Sequence, residues 1–235
     1  MDHDEAAAQG DERPVTSREQ DAVRVLLLLD GACEPANSAD LDDLRLQSSV
    51  GVVRSQVRLQ KLDFWLRNPD YLADELLNDY ESSAEPPLLD HAARILDSEE
   101  PEVRRYPMLR HHFGAYEPLD DALAVLRSAG LIAVRRRGTV NRIRQHDYFL
   151  LGQGRTVARD IVGQAPEFAY YVERVRLVID LADGLGGSGL KARQYLQHEY
   201  AQAERGKRIG SVSARARTRL AEFRRSAAAS GAGAA

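Results

Sequence analysis

The sequence predicts a mainly α-helical fold with one small β-wing, and three observations within residues 118–162 carry that reading. Leu119, Leu123 and Leu126 recur at helical spacing with Ala122 and Ala129. Pro118 stands at the first helical position and Gly130 just past the last turn. Residues 133–144 hold two short basic runs about a Gly/Asn-containing turn, the pattern of a hairpin. Tyr148-Phe149-Leu150-Leu151 then leads back to a core, and Gly154-Arg155 opens a helix carrying Val157, Ala158, Ile161 and Val162. Helix, basic hairpin, apolar strand and helix, in that order, describe a winged helix-turn-helix core, here with N- and C-terminal helical extensions.

The elements follow in order. Residues 1–18 are polar and charged and are expected to be disordered. Residues 19–80 form an N-terminal helical region. Its first helix runs from Glu19 to Ala32 with Val23, Val25, Leu26 and Leu27 inward, and Glu34-Pro35-Ala36-Asn37-Ser38 breaks it. Leu41–Leu77 is expected to be helical, interrupted near Gly51 and at Asn68-Pro69, with an apolar stripe of Leu59, Leu62, Trp65 and Leu66. After a loop over 81–87, the winged helix is assigned to 88–165, including helices over Leu88–Leu96 and Pro101–His112. Residues 166–225 form the C-terminal extension. There Phe168, Val172, Val175, Ile179 and Ala182 repeat at alternating steps of four and three, the clearest amphipathic pattern in the chain. A break over 184–189 precedes a helix over 190–204. Val212, Ala216, Leu220 and Phe223 line a last basic helix, and 226–235 is expected to be a disordered tail.

Composition bounds the function. With 235 residues and 43% hydrophobic content the chain can bury a core, built mostly of aliphatic residues because aromatics are only 6%. The single cysteine, Cys33, excludes an internal disulfide and a cysteine-based zinc site. Val25–Leu29 is too short to span a bilayer, and the acidic N-terminus lacks a signal-peptide pattern, so a cytoplasmic protein without a membrane partner is expected. The net charge of −4 hides a split. Residues 1–130 hold 13 Arg/Lys and 27 Asp/Glu, a net −14, and residues 131–235 hold 19 and 9, a net +10. A GC-rich genome would explain arginine over lysine but not this segregation. The segregation is read as a basic half that meets an anionic partner and an acidic half that repels nucleic acid.

Enzyme signatures are lacking. Gly184–Lys191 has its lysine one position late for a phosphate loop, with no Ser/Thr after it. Gly152 and Gly154 lack the third glycine of a dinucleotide fold. His111 and His112 are adjacent and cannot chelate one ion from a helix, and His91, His146 and His198 have no neighbour at ligand spacing. No enzyme activity, cofactor or metal is expected.

The binding surfaces are therefore the point of interest. The helix before the wing exposes Glu117, Asp120, Asp121, Ala124, Arg127 and Ser128. Three carboxylates at its N-terminal end suit the helix dipole and oppose DNA phosphates, so base reading is not expected there. Glu117, Asp120, Asp121 and Arg127 are assigned instead to contact with a partner protein. Arg135, Arg136, Arg137, Arg142 and Arg144 lie in the wing, with alternation placing Arg135 and Arg137 opposite Arg136. They are assigned to sequence-neutral phosphate contact, against the alternative of a charged edge that only keeps the hairpin soluble. Replacing Arg135, Arg136 and Arg137 with Glu is expected to abolish DNA binding without unfolding the protein. The last helix is expected to pack on the body, dimerise or dock on an acidic partner.

Three stretches resemble a known group. They are Arg58-Leu59-Gln60-Lys61-Leu62-Asp63-Phe64-Trp65-Leu66-Arg67-Asn68-Pro69-Asp70-Tyr71-Leu72-Ala73, Arg110-His111-His112-Phe113-Gly114-Ala115-Tyr116-Glu117, and Gly187-Ser188-Gly189-Leu190-Lys191 with Tyr195. Together with the Gly154-Arg155 helix start, they resemble the winged-helix middle components of bacterial three-component conflict systems built on ABC ATPases. The resemblance covers roughly residues 20–205 and departs from the group at Leu151-Gly152, where threonine is common. It implies a non-enzymatic adaptor subunit of a DNA-associated complex, with an SMC-like or Rad50-like ATPase and a third component as partners, in anti-phage or anti-plasmid defence. It supplies no catalytic residues. The alternative is a homodimeric winged-helix transcriptional regulator, which the basic wing favours and the acidic helix opposes.

Overall fold

The computed structural model describes residues 17–97, 109–111, 114–116, 119–139, 142–207 and 209–232. The described chain is mainly helical with a small three-stranded antiparallel sheet. Helix α1 (Arg18–Ala32) starts from a capping box, in which the Ser17 hydroxyl accepts from the Gln20 backbone N–H and the Gln20 side chain accepts from the Ser17 N–H. Ser17 and Arg18 thus belong to a capped helix start, inside the segment expected to be disordered to residue 18; residues 1–16 lie outside the described residues. Ala22, Val25–Leu29 and Ala32 are all buried, so α1 is enclosed on most sides. It packs against α6 (Asp120–Ser128), α7 (Gly152–Gln164) and α8 (Ala169–Leu181).

Residues 42–54 correct the expectation of helix. A short helix α2 (Ser38–Leu41) and a single 3-10 turn over Leu44–Leu46 lead into strand β1 (Ser49–Arg54). Val50, Val52 and Val53 are β-branched and suit a pleated, half-buried surface. Tertiary pairing selects that preference over the helical pattern around it. β1 pairs with β5 (Arg142–Leu151), which pairs with β4 (Ile132–Thr139), giving the order β1-β5-β4. Val53, Tyr148 and Val134 form one cross-strand row and Val52, Phe149 and Ala133 the next. The first row faces the main core, whereas Val52 and Phe149 are covered by Leu46 from the 3-10 turn.

The stripe Leu59, Leu62, Trp65 and Leu66 is buried as expected in α3 (Gln56–Arg67), and so is Asp63, whose carboxylate accepts from Arg24 Nε at 2.9 Å across to α1. Pro69 opens α4 (Pro69–Ser83), and α5 (Pro86–Asp97) packs back on it. The helix expected over Pro101–His112 is corrected at its end: Leu109–His111 is strand β2, antiparallel to β3 (Gly114–Tyr116). Its earlier part, with His112, lies outside the described residues. Leu119, Ala122, Leu123 and Leu126 bury one face of α6, and Gly130, at φ +67°, takes the left-handed position that ends it.

The helix expected over 190–204 divides into α9 (Gly187–Tyr195) and α10 (His198–Gln202). The last helix, α11 (Ser213–Ala232), extends through most of the expected tail, where Ala227-Ala228-Ala229 has high helix propensity. Val212, Ala216 and Leu220 are buried, and Phe223 packs edge-on against Tyr80 with ring centroids 5.2 Å apart. The stripe therefore covers the body rather than remaining open for a partner. One hydrophobic core runs from Ala22 to Leu220.

Candidate nucleic-acid interface

Strand alternation divides the wing arginines into two sets. Arg135 and Arg137 share the outer face of the sheet with Asp147, which is fully buried. Asp147 accepts from Arg137 Nε at 2.5 Å and from Gln145 Nε2 at 2.5 Å, and Arg135 Nη2 lies 3.4 Å away. Asp40, at the C-terminal end of α2 and 2% exposed, bonds Arg135 and also Arg54 Nη2 at 2.6 Å. The Arg135 guanidinium sits 4.8 Å from the Phe149 ring centroid. Hydrogen bonds from Arg54 and Arg135 hold the Asp40 carboxyl well below the usual carboxylate range. Burial alone would raise Asp147, but Gln145 and Arg137 outweigh it and leave its pKa lowered. This cluster fastens the α2 segment over the sheet. It also alters the triple replacement considered above, because Glu at 135 and 137 would set negative charge against two buried carboxylates.

The other face is different. Arg136 is exposed, opposite His146 in the ladder. Together with Gln56, Asp120, Arg127 and Tyr148 they line a recess of about 560 Å3 between α6 and the hairpin. A second recess of about 480 Å3, lined by Arg45, Leu46, Arg127 and Ser128 among others, adjoins it. Arg142 and Arg144 stand exposed at the hairpin's end beside Ile143, which is 46% exposed. Among the described residues, none of Arg127, Arg136, Arg142 and Arg144 has an ion-pair partner. Asp120 and Asp121 are exposed in the first turn of α6, as the sequence indicates, and Glu117 lies outside the described residues.

The unpaired set stands out because much of the basic half is already partnered by the acidic half. Arg155 holds Asp30 at 3.0 Å, Arg193 holds Glu75 at 2.7 Å and Asp79 at 2.5 Å, and Arg215 and Arg219 hold Asp74 at 3.0 and 2.8 Å. Arg217 and Arg224 reach Asp97. Sequence reasoning missed Arg45, Gln56 and His146 as lining residues, and Asp40 and Asp147 as partners. Asp40 is 95 positions from Arg135, and no local spacing signals such a contact.

Among the described residues, no group of three His, Cys, Asp or Glu side chains is placed to hold a metal ion, and no helix is long and apolar enough to cross a membrane. No protein-family model, curated protein or solved structure matches the chain.

Proposed function

We propose that the protein is a winged-helix module that holds duplex DNA by its phosphates, without reading its sequence. The order α1, β1, α3, α6, β4, β5 with a β1-β5-β4 sheet supports a winged helix whose α4, α5 and β2–β3 hairpin are inserted before α6. The observation that carries the reading is the set Arg127, Arg136, Arg142 and Arg144, exposed and without an ion-pair partner among the described residues, in a chain that pairs so many of its other arginines internally. Arginines of this kind contact phosphate oxygens and position a protein without specifying bases. The exposed face of α6 presents Asp120, Asp121, Ala124 and Arg127, a poor set for base edges, which disfavours a palindrome-reading regulator. An adaptor role beside an ATPase, as the family resemblance implies, would use Asp120 and Asp121 for protein contact.

The test is fluorescence anisotropy on a random-sequence duplex across a salt series, with the triple variant Arg136→Glu, Arg142→Glu, Arg144→Glu beside the parent. Three or four phosphate contacts give a log–log salt slope of about −3. Binding with that slope, lost in the variant and indifferent to sequence, supports the proposal. No binding at low salt, or binding that the variant retains, overturns it.

A further inference from the structure

The clearest amphipathic stripe of the sequence is incompletely covered. Val175 and Ala182 are buried, but Val172 and Ile179 are only half-buried. Val172, Val175 and Ile179 of α8 form one wall of a groove of about 380 Å3, with Val162 of α7 opposite and Leu27 and Ala158 beneath. Gly31, at the end of α1, lets Val175 and Ile179 of α8 approach closely. A Cβ there would lie 2.5 Å from Val175 Cγ1 and 3.4 Å from Ile179 Cδ1. Charge marks the rim. Asp30, the one carboxylate among the lining residues, is already bound by Arg155 at 3.0 Å. Arg159 and Arg176 are exposed and have no ion-pair partner among the described residues. The groove shares no lining residue with the basic recesses beside α6.

We propose that this groove docks an acidic amphipathic helix of a partner protein. Two helices flank the groove, and a third helix laying an apolar edge between them is a common way to complete such a surface. Val162, Val172 and Ile179 would receive aliphatic side chains, and carboxylates beside that edge would meet Arg159 and Arg176. A second copy of this chain is a poor occupant through its longest surface helix, because α11 is rich in arginine and would be repelled by the rim.

The experiment uses the full chain and two fluorescein-labelled synthetic helices of about 18 residues, five turns. Both carry Leu at positions i, i+3, i+4 and i+7, and they differ only in flanking Glu or Lys. The Glu helix is expected to bind about tenfold or more tighter than the Lys helix, and the double variant Arg159→Glu, Arg176→Glu is expected to reverse that preference. Both sites are exposed, so the variant should melt with the parent, and circular dichroism checks that it does. Absence of binding by either helix, equal binding of both, or a preference unchanged in the variant overturns the proposal. Sedimentation velocity supplies a separate outcome: a dimer abolished by Val172→Asp would give the groove to a second copy and also overturn it.

Discussion

Replacing Arg135 and Arg136 separately with Ala tests whether the two faces of the wing do different work. Arg135 is 20% exposed at its side chain, bonds Asp40, lies 3.4 Å from Asp147 and stacks over Phe149 at 4.8 Å. Its removal does not strand either carboxylate, since Asp40 keeps Arg54 at 2.6 Å and Asp147 keeps Arg137 at 2.5 Å. The loss is one charge-assisted hydrogen-bond set, about 1.5–3 kcal/mol, with a cation–π contribution of about 0.5–1 kcal/mol. A total of about 2–4 kcal/mol lowers the melting temperature by about 4–16 °C in a chain of this size. Arg136 is exposed and has no ion-pair partner among the described residues, so Arg136→Ala should change stability by no more than about 0.5 kcal/mol. Its cost falls on DNA: one phosphate contact of about 1 kcal/mol corresponds to about fivefold weaker binding at low salt. Thermal melts by circular dichroism and anisotropy on the same preparations give both readings. If Arg136→Ala melts as low as Arg135→Ala, or if Arg135→Ala loses duplex binding as strongly as Arg136→Ala, the division of the hairpin is wrong.

Three further expectations concern the interior. Asp74, 1% exposed, anchors α11 through Arg215 and Arg219, so Asp74→Ala should cost about 2–3 kcal/mol and speed tryptic cleavage within α11; unchanged protection would show that the apolar stripe alone holds the helix. Burial pushes the Glu75 carboxyl above its usual range despite Arg193. Glu75→Gln should therefore change stability by less than about 1 kcal/mol at pH 7, whereas Arg193→Ala, which leaves that carboxylate facing only Gln197 and Asn78, should cost about 3 kcal/mol in urea melts. Asp40, Asp147 and Glu199 have lowered pKa values, so their contribution is complete above the ordinary carboxylate range near pH 4 and is lost as pH falls through their folded values. Glu75 runs the other way, its raised value costing stability as pH rises from that range through its folded pKa. Melts from pH 2.5 to 7 should show a fall in midpoint below about pH 4 that Asp40→Asn makes shallower.

Local pattern revealed the helices well and the sheet poorly. The stripe in α3, the proline start of α4, the α6 face and the Gly130 stop were legible because spacing and end signals are local properties. β1 was not, because Ser49–Arg54 becomes a strand only by pairing with β5, nearly 100 positions away. The long amphipathic pattern of α8 marked a real face, but covered and uncovered positions along it look alike in sequence. At the candidate interface, the sequence located the basic hairpin and its two faces. It could not show that Asp40 and Asp147 occupy Arg135 and Arg137, because both partners come from elements whose approach depends on the sheet.

The charge segregation between the two halves has an internal explanation that also sharpens the external one. The −14 of residues 1–130 and the +10 of residues 131–235 look like two surfaces awaiting partners. Many of the opposing charges meet inside the fold, where Arg193, Arg215 and Arg219 fasten the C-terminal helices to α4 and Arg135 fastens the wing to α2. A net count therefore overstates the field available to an anionic ligand, since charges paired at contact distance nearly cancel beyond a Debye length of about 8 Å. What remains for long-range attraction is the unpaired residue of that pairing among the described residues, and around α6 and the wing it is concentrated in Arg127, Arg136, Arg142 and Arg144. The same subtraction leaves Arg159 and Arg176 at the α7–α8 groove. Unpaired arginines, rather than arginine-rich segments, are thus the proper places to test for contact with an anionic ligand.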